Sequence, residues 1–229
     1  MSLGRSLRLV LSPPHPAGRP FIIGGVAVAL VGGGFLGAWL FWLGTIFTLF
    51  CLYFFRDPKR IRPEREQLVL APADGHIVSV MSAVPPEELG LGPAPRWRVA
   101  IFLSVLDVHV NRVPADGTVT RIAYRHGKYL NASLDKASVD NERNAIALRL
   151  PDGRDMAVVQ IAGLIARRIL CDIKEGDTVI AGERFGIIRF GSRTDVYLPA
   201  GIRPVVVEGQ TMIGGETVIA DLTPLRVLP

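Results

Sequence analysis

Ile173-Lys174-Glu175-Gly176-Asp177-Thr178-Val179-Ile180-Ala181-Gly182-Glu183-Arg184-Phe185-Gly186 is the stretch that decides the fold. A polar turn at Glu175-Gly176-Asp177 precedes a β-branched run, Thr178-Val179-Ile180, and a second glycine, Gly182, follows it. β-branched residues favour pleated strands, and Gly and Asp supply turns. The chain from Gln67 onward keeps this texture. Strands are predicted at His76–Val80, Trp97–Leu103, Thr118–Tyr124, Ala145–Leu150, Met156–Ile161, Ile165–Leu170, Phe185–Ile188 and Thr194–Leu198. Pro151-Asp152-Gly153 reads as a hairpin turn, and Pro85 to Pro95 as a surface loop. No long amphipathic helix is present; the best helical candidate is a short one over Ser104–Asn111. Many short strands at close spacing predict a mainly β domain, a barrel or a sandwich.

The opening stretch resembles the turn-and-strand unit of lipoyl/biotinyl-type β-sandwich domains. Ala71-Pro72-Ala73-Asp74-Gly75-His76-Ile77-Val78 looks like its partner half. The resemblance implies a barrel-sandwich hybrid for the domain from 67 to 229.

Ahead of that domain the composition changes. Hydrophobic residues make up 49% of the chain, high for a soluble protein, and the excess is concentrated. Phe21 to Phe55 contains no Asp, Glu, Lys, Arg or His. As one helix it would be roughly 52 Å long, whereas a bilayer core needs about 20 residues. Gly32-Gly33-Gly34 interrupts it, which suits a tight helical hairpin. One span over about Phe35 to Phe55, behind an apolar leader, is the alternative. A cleaved signal peptide fits poorly, because Arg56-Asp57-Pro58 follows with no small-residue cleavage site. The expected order is a basic N-terminus (1–20), a hydrophobic membrane anchor (21–55), a basic linker (56–66) and the β domain.

The net charge of +5 belongs to the first and third of these segments. Arg5, Arg8 and Arg19 stand before the apolar run, and Arg56, Lys59, Arg60, Arg62 and Arg65 after it, against three acids. From Gln67 to Pro229 the charges balance. Basic flanks on both sides suit a hairpin at the cell membrane with the β domain in the cytoplasm, and they attract anionic head groups. A balanced domain gives no basic face for nucleic acid. Cys51 and Cys171 read as two reduced, apolar side chains.

Five segments then combine. They are Phe54-Phe55-Arg56-Asp57-Pro58, Ala71-Pro72-Ala73-Asp74-Gly75, Leu106-Asp107-Val108-His109-Val110-Asn111-Arg112-Val113-Pro114, Asn141-Glu142-Arg143-Asn144 and Arg189-Phe190-Gly191-Ser192-Arg193-Thr194-Asp195-Val196-Tyr197-Leu198-Pro199. In this order they resemble the phosphatidylserine decarboxylase proenzymes, in their short bacterial and archaeal form. The resemblance implies that Ser192 attacks the Gly191 carbonyl and the chain cuts itself there. A β chain of residues 1–191 and an α chain of residues 192–229 result, with Ser192 converted to a pyruvoyl group. The α and β chains would remain together as a heterodimer, with any higher oligomer left open.

A pyruvoyl ketone forms a Schiff base with an amino-acid amine and delocalises the carbanion left when CO2 departs. Neither PLP nor a metal is then required, and the four histidines and two cysteines show no metal-ligand spacing. The resemblance carries Asp74 over as an aid to processing, and His109 as proton donor or base. Long-form members have H-x-x-H where this chain has His109-Val110-Asn111-Arg112. The group that activates Ser192 is therefore open among His109, Arg112, His76 and His126. Arg112 becomes a candidate for the substrate phosphate or carboxylate, or a surface ion pair. Asn144 is a further substrate-binding candidate.

The implied function is decarboxylation of phosphatidylserine in the membrane to phosphatidylethanolamine. A related lipid such as archaetidylserine is the alternative substrate. A non-enzymatic membrane adaptor with a lipoyl-like domain is the rival from another class. It lacks the lysine that a carrier needs, since the candidate hairpin tip reads Phe190-Gly191-Ser192-Arg193.

Overall fold

The computed structural model describes residues 12–127, 140–163, 168–189 and 192–223. Two units emerge, Met1–Lys59 and Arg60–Pro229. The second is mainly β, as the strand pattern predicts. Its strands, among the described residues, are β1 (Leu68–Leu70), β2 (Gly75–Ala83), β3 (Arg96–Leu103), β4 (Val110–Arg112), β5 (Gly117–Arg125), β6 (Arg143–Arg149), β7 (Asp155–Ala162), β8 (Ile169–Cys171), β9 (Thr178–Val179), β10 (Arg184–Ile188), β11 (Ser192–Tyr197), β12 (Thr211–Met212) and β13 (Val218–Asp221).

Eight of these form one curled sheet in the order β12-β2-β3-β11-β7-β6-β5-β9. A three-stranded sheet, β4-β10-β8, and a two-stranded one, β1-β13, complete the unit. Strand β11 sits in mid-sheet, antiparallel to β3 on one side and β7 on the other. All six of its residues are buried, because neighbours cover both edges and both faces. Side chains alternate across a strand. One face of the sheet therefore carries Ile77, Val99, Ile101, Val158 and Val196 into the main core, with Phe185 of β10. The other carries Tyr197, Val159 and Ile161.

Ser104–Asn111 is not a helix. The Asp107 carboxylate accepts from the Ser104 N–H (2.8 Å) and hydroxyl (2.7 Å), closing a tight turn. Beyond it Val110–Arg112 pairs with β10. A side chain that bonds the local backbone competes with helix formation. The first part of the predicted Ile165–Leu170 strand lies outside the described residues. Within Pro85–Pro95, Glu87–Leu89 forms a 3-10 turn that buries Leu89 against Ala145 and Ala147.

The first unit is a helical hairpin. Its first arm, Pro16–Leu36, has 21 residues and is long and apolar enough to cross a membrane; the second, Ala38–Phe54, is shorter. The reversal falls at Gly37 (φ +113°), not at Gly32–Gly34. A side chain at Gly37 would be strained in that backbone region. Gly32 and Gly33 stay helical and serve packing instead. A Cβ on Gly33 would come 2.7 Å from Cβ of Phe41, and one on Gly44 would come 2.4 Å from the Ala29 nitrogen. Small residues let apolar helices approach closely where no hydrophobic force drives them together. The outward faces are apolar, with Phe35, Trp39, Trp42 and Ile46 exposed.

Candidate active site

The pairing register brings three of the predicted site residues, Ser192, Asp74 and His109, toward one end of the large sheet. Ser192 begins β11 and lies opposite Leu103, the last residue of β3, and Ala162, the last of β7. On the next strand out, His76 of β2 pairs with Phe102 of β3, so Asp74 stands just before the start of β2 at the same end. On the far side Arg143, the first residue of β6, pairs with Ile161 of β7. Gly191 lies outside the described residues.

Ser192 is fully buried, and among the described residues its Oγ has no hydrogen-bond partner; the same holds for Thr194 Oγ1, two residues along the same face. A buried hydroxyl without a partner is destabilising by about 1–3 kcal/mol. Such a group is also free to react, since no competing bond must break. Next to Thr194 the face carries a buried amide relay. The Asn144 side-chain N–H donates to Gln160 (2.9 Å), and the Gln160 N–H donates to Asn111 of β4 (2.8 Å). This relay locks the three-stranded sheet to the large one. Gln160 is missed by sequence reasoning; the available signal was one polar residue inside the apolar run Met156–Ala162.

His109 is reached through the same register. Asn111 pairs with Gly186, Val110 with Ile187, and the Ile188 N–H donates to the His109 carbonyl. Ile188 packs on Ala162, the cross-strand neighbour of Ser192. Stepping back from Asn111 to His109 therefore moves from the Thr194 row to the Ser192 row. Alternation gives His109 the face of Asn111, turned toward the large sheet. The ring is fully buried, and its Nδ1 lies 3.0 Å from the Asp107 carbonyl. A carbonyl only accepts, so Nδ1 carries a proton in this contact; in a neutral ring the lone pair is then on Nε2.

Asp74 accepts from Arg60 (2.6 Å) and from the Gly214 N–H (2.8 Å). Burial raises its carboxyl above the usual range. The Arg60 cation opposes that rise, and the nearby Asp107 charge adds to it. Gly75 makes the turn possible. Its φ is +141°, and a Cβ there would sit 2.1 Å from the Phe102 carbonyl oxygen. Arg60 and Asp107 were not singled out from sequence; both belong to the quoted stretches or the linker, but only tertiary pairing reveals their partners.

Arg112 lies on the other face of β4 and donates to the Gly182 carbonyl (2.9 Å), so the structure does not bring it alongside Asn111 and His109. Arg143 donates to Glu88 (3.0 and 2.6 Å). His76 is exposed and packs edge-on against Phe102; its neighbour Ile77 holds the core face. His126 is exposed, 3.8 Å from the Glu142 carboxylate. Behind Ser192, Arg193 and Asp195 form a fully buried bidentate pair (2.6 and 3.0 Å), with Arg98 at 3.8 Å. Burial there, with the Asp195 charge, pushes the Tyr197 phenol up to about 12. At the end of β10, burial lowers the Arg189 guanidinium, and the Arg168 charge lowers it further.

Comparison with known proteins identifies the family. The phosphatidylserine decarboxylase family model matches residues 47–220. A phosphatidylserine decarboxylase proenzyme of Granulibacter bethesdensis is 75% identical over 98% of this chain and 91% of its own. Those of Gluconacetobacter diazotrophicus and Gluconobacter oxydans are 66% and 63% identical over 97% of this chain and 100% of theirs. With the family model matched across the β domain, and relatives this similar over nearly their whole length, the chain belongs to the phosphatidylserine decarboxylase family.

Proposed function

We propose that this protein is a membrane-attached decarboxylase that converts phosphatidylserine to phosphatidylethanolamine and CO2, using a pyruvoyl group made from its own Ser192. The observation that carries the reading is the buried, unbonded Ser192 Oγ at the start of a mid-sheet strand, with Asp74 at the same sheet end and His109 at the same level. The residues present fit the group. The hydroxyl has no other task, and both flanking strands hold β11 from Ser192 onward.

In this reading His109 Nε2 takes the Ser192 proton as Oγ attacks the Gly191 carbonyl. The C–O ester bond forms, the peptide C–N bond breaks, and the proton passes to the freed nitrogen. Elimination then takes the Ser192 Cα proton to a base as the Cβ–Oγ bond breaks, releasing Gly191 as a carboxylate and leaving dehydroalanine, which tautomerises to an imine. Water then removes the nitrogen as ammonia. Asp74 assists by holding the turn before β2, tied to Arg60 and Gly214. The pyruvoyl ketone supplies the electron sink for the pair released with CO2. His109, reprotonated, returns a proton to the substrate carbon. Arg112 and Asn144 would act through structure: one on the Gly182 carbonyl, the other in the amide relay. The substrate is a bilayer lipid, which suits an apolar hairpin with basic flanks. Those flanks support the cytoplasmic side of the cell membrane for the β domain.

Intact-mass spectrometry of the purified protein tests this. Two chains are expected, the smaller of about 38 residues (192–229) and blocked to N-terminal sequencing. Ser192→Ala should give one uncut, inactive chain. A wild-type protein that stays uncut, or a small chain with a free serine amine, would overturn the mechanism.

A further inference from the structure

The turn Ser104–Asp107 stands at the site end of the sheet and presents two aliphatic side chains outward. Val105 is 40% exposed and Leu106 63%. The turn is held firmly: the Asp107 N–H donates to the Ser104 carbonyl (3.0 Å), and the Asp107 carboxylate takes both Ser104 donors. On one side Leu103 pairs with Ser192. On the other the Asp107 carbonyl holds His109. Turn tips ordinarily carry polar residues. Here two adjacent aliphatics project from the element that joins the serine's neighbour to the histidine.

Cations gather at the same end. Arg60 is bonded to Asp74, and it stands only five residues after Phe55, the last residue of the apolar run. Exposed Arg168 precedes β8, and Arg189 follows β10. Exposed aliphatic side chains at an end that also carries Arg168 and Arg189 are the composition of an element that lies in the interface of an anionic bilayer. We propose that the 104–107 turn is a second membrane contact, placing Val105 and Leu106 among the acyl chains and setting the site end against the head-group layer. The turn would then carry the histidine and the serine row to the depth of the lipid head group. The inference rests on the reading of the substrate as a bilayer lipid. Its first test uses no turnover, so either can fail alone.

The full chain, with Cys51→Ala and Cys171→Ala, would be labelled at Leu106→Cys with an environment-sensitive nitrobenzoxadiazole. It would be reconstituted in nanodiscs of phosphatidylcholine and phosphatidylglycerol. Val84→Cys, just past the opposite end of β2, is the control; Val84 is also exposed. The label at 106 should emit to the blue of the label at 84 and be quenched severalfold more by spin-labelled acyl chains. Equal emission and quenching at the two positions would overturn the proposal. A Val105→Ser, Leu106→Ser double variant should lose at least about tenfold in turnover of nanodisc phosphatidylserine, from the lost apolar insertion. It should keep turnover of a dispersed short-chain phosphatidylserine. Equal losses on both substrates would also count against it.

Discussion

Replacing Arg60 by Met should move the pH dependence of self-cleavage. Arg60 lies 2.6 Å from Asp74, with side-chain exposures of 6% and 18%. Two unit charges about 4 Å apart interact by about 4 kcal/mol at an effective dielectric constant of about 20. Residual exposure and the retained Gly214 bond reduce it. An upward movement in the ionisation of Asp74 is therefore expected. Burial and Asp107 already hold this carboxyl above its usual range, and Arg60 is what restrains it. If processing needs Asp74 ionised, the acid limb of the cleavage rate in Arg60→Met shifts to higher pH. Arg60→Lys, which keeps the charge, stays near wild type. The assay follows the appearance of the small chain by mass spectrometry as freshly synthesised chain from a cell-free system is incubated at each pH. Stability gives a second readout. A carboxyl raised in the folded state makes that state the better proton binder. Its contribution thus falls as pH rises from the unfolded value toward the folded one. Arg60→Met should deepen this fall and extend it to higher pH. Superimposable cleavage profiles for wild type and Arg60→Met would refute the reasoning, because they would mean that Asp74 does not titrate in the step.

Two further predictions concern the buried face beside Ser192, both measured in the uncut Ser192→Ala chain. Gln160→Leu leaves the Asn144 N–H and the Asn111 carbonyl oxygen buried without their partner. It should destabilise by about 2–4 kcal/mol, lowering Tm by roughly 5–10 °C; an unchanged Tm would show that the relay is dispensable. Thr194→Val removes a buried hydroxyl that bonds nothing and should raise Tm by about 2–4 °C; a lower Tm would mean that the hydroxyl has a partner.

The long strands were legible because their signals were local. Trp97–Leu103 and Met156–Ile161 are β-branched and apolar runs bounded by turn residues, and they became β3 and β7 within one or two residues. Strand β4 was not legible. Its three residues are strand only because β10 lies beside them, and the preceding Ser104…Asp107 pair serves a turn as readily as a helix start. The glycines at 32–34 show the converse error. A Gly triplet signals a break, but between apolar helices it equally permits close packing, and only the partner arm decides between these. For the site, the motifs pointed to Asp74, His109 and Ser192, whereas their convergence on one sheet end is a matter of register. Gln160 and Arg60 escaped notice because their partners lie 49 residues and 14 residues away in sequence.

The register also bears on why a chain could be cut beside its own working group without coming apart. The proposed cut lies where the chain passes from the three-stranded sheet to the large one. Upstream, β10 is held between β4 and β8. Downstream, β11 is paired along all six residues with both β3 and β7, and Val196 and Leu198 are in the main core. β10 ends at Ile188 and β11 begins at Ser192, so the proposed cut falls between two strands and not within either. Strand fraying at the new terminus is opposed on the far face, where the fully buried Arg193–Asp195 pair meets Arg98 of β3, 3.8 Å from Asp195. Removing one partner of such a pair is strongly destabilising, by about 3–5 kcal/mol, because it leaves a buried charge. The near face, by contrast, tolerates two unbonded hydroxyls, at Ser192 and Thr194. Strand β11 thus combines a firmly bonded side with an unsatisfied one. A reacting group needs both, since the first fixes where it stands and the second leaves it free to change.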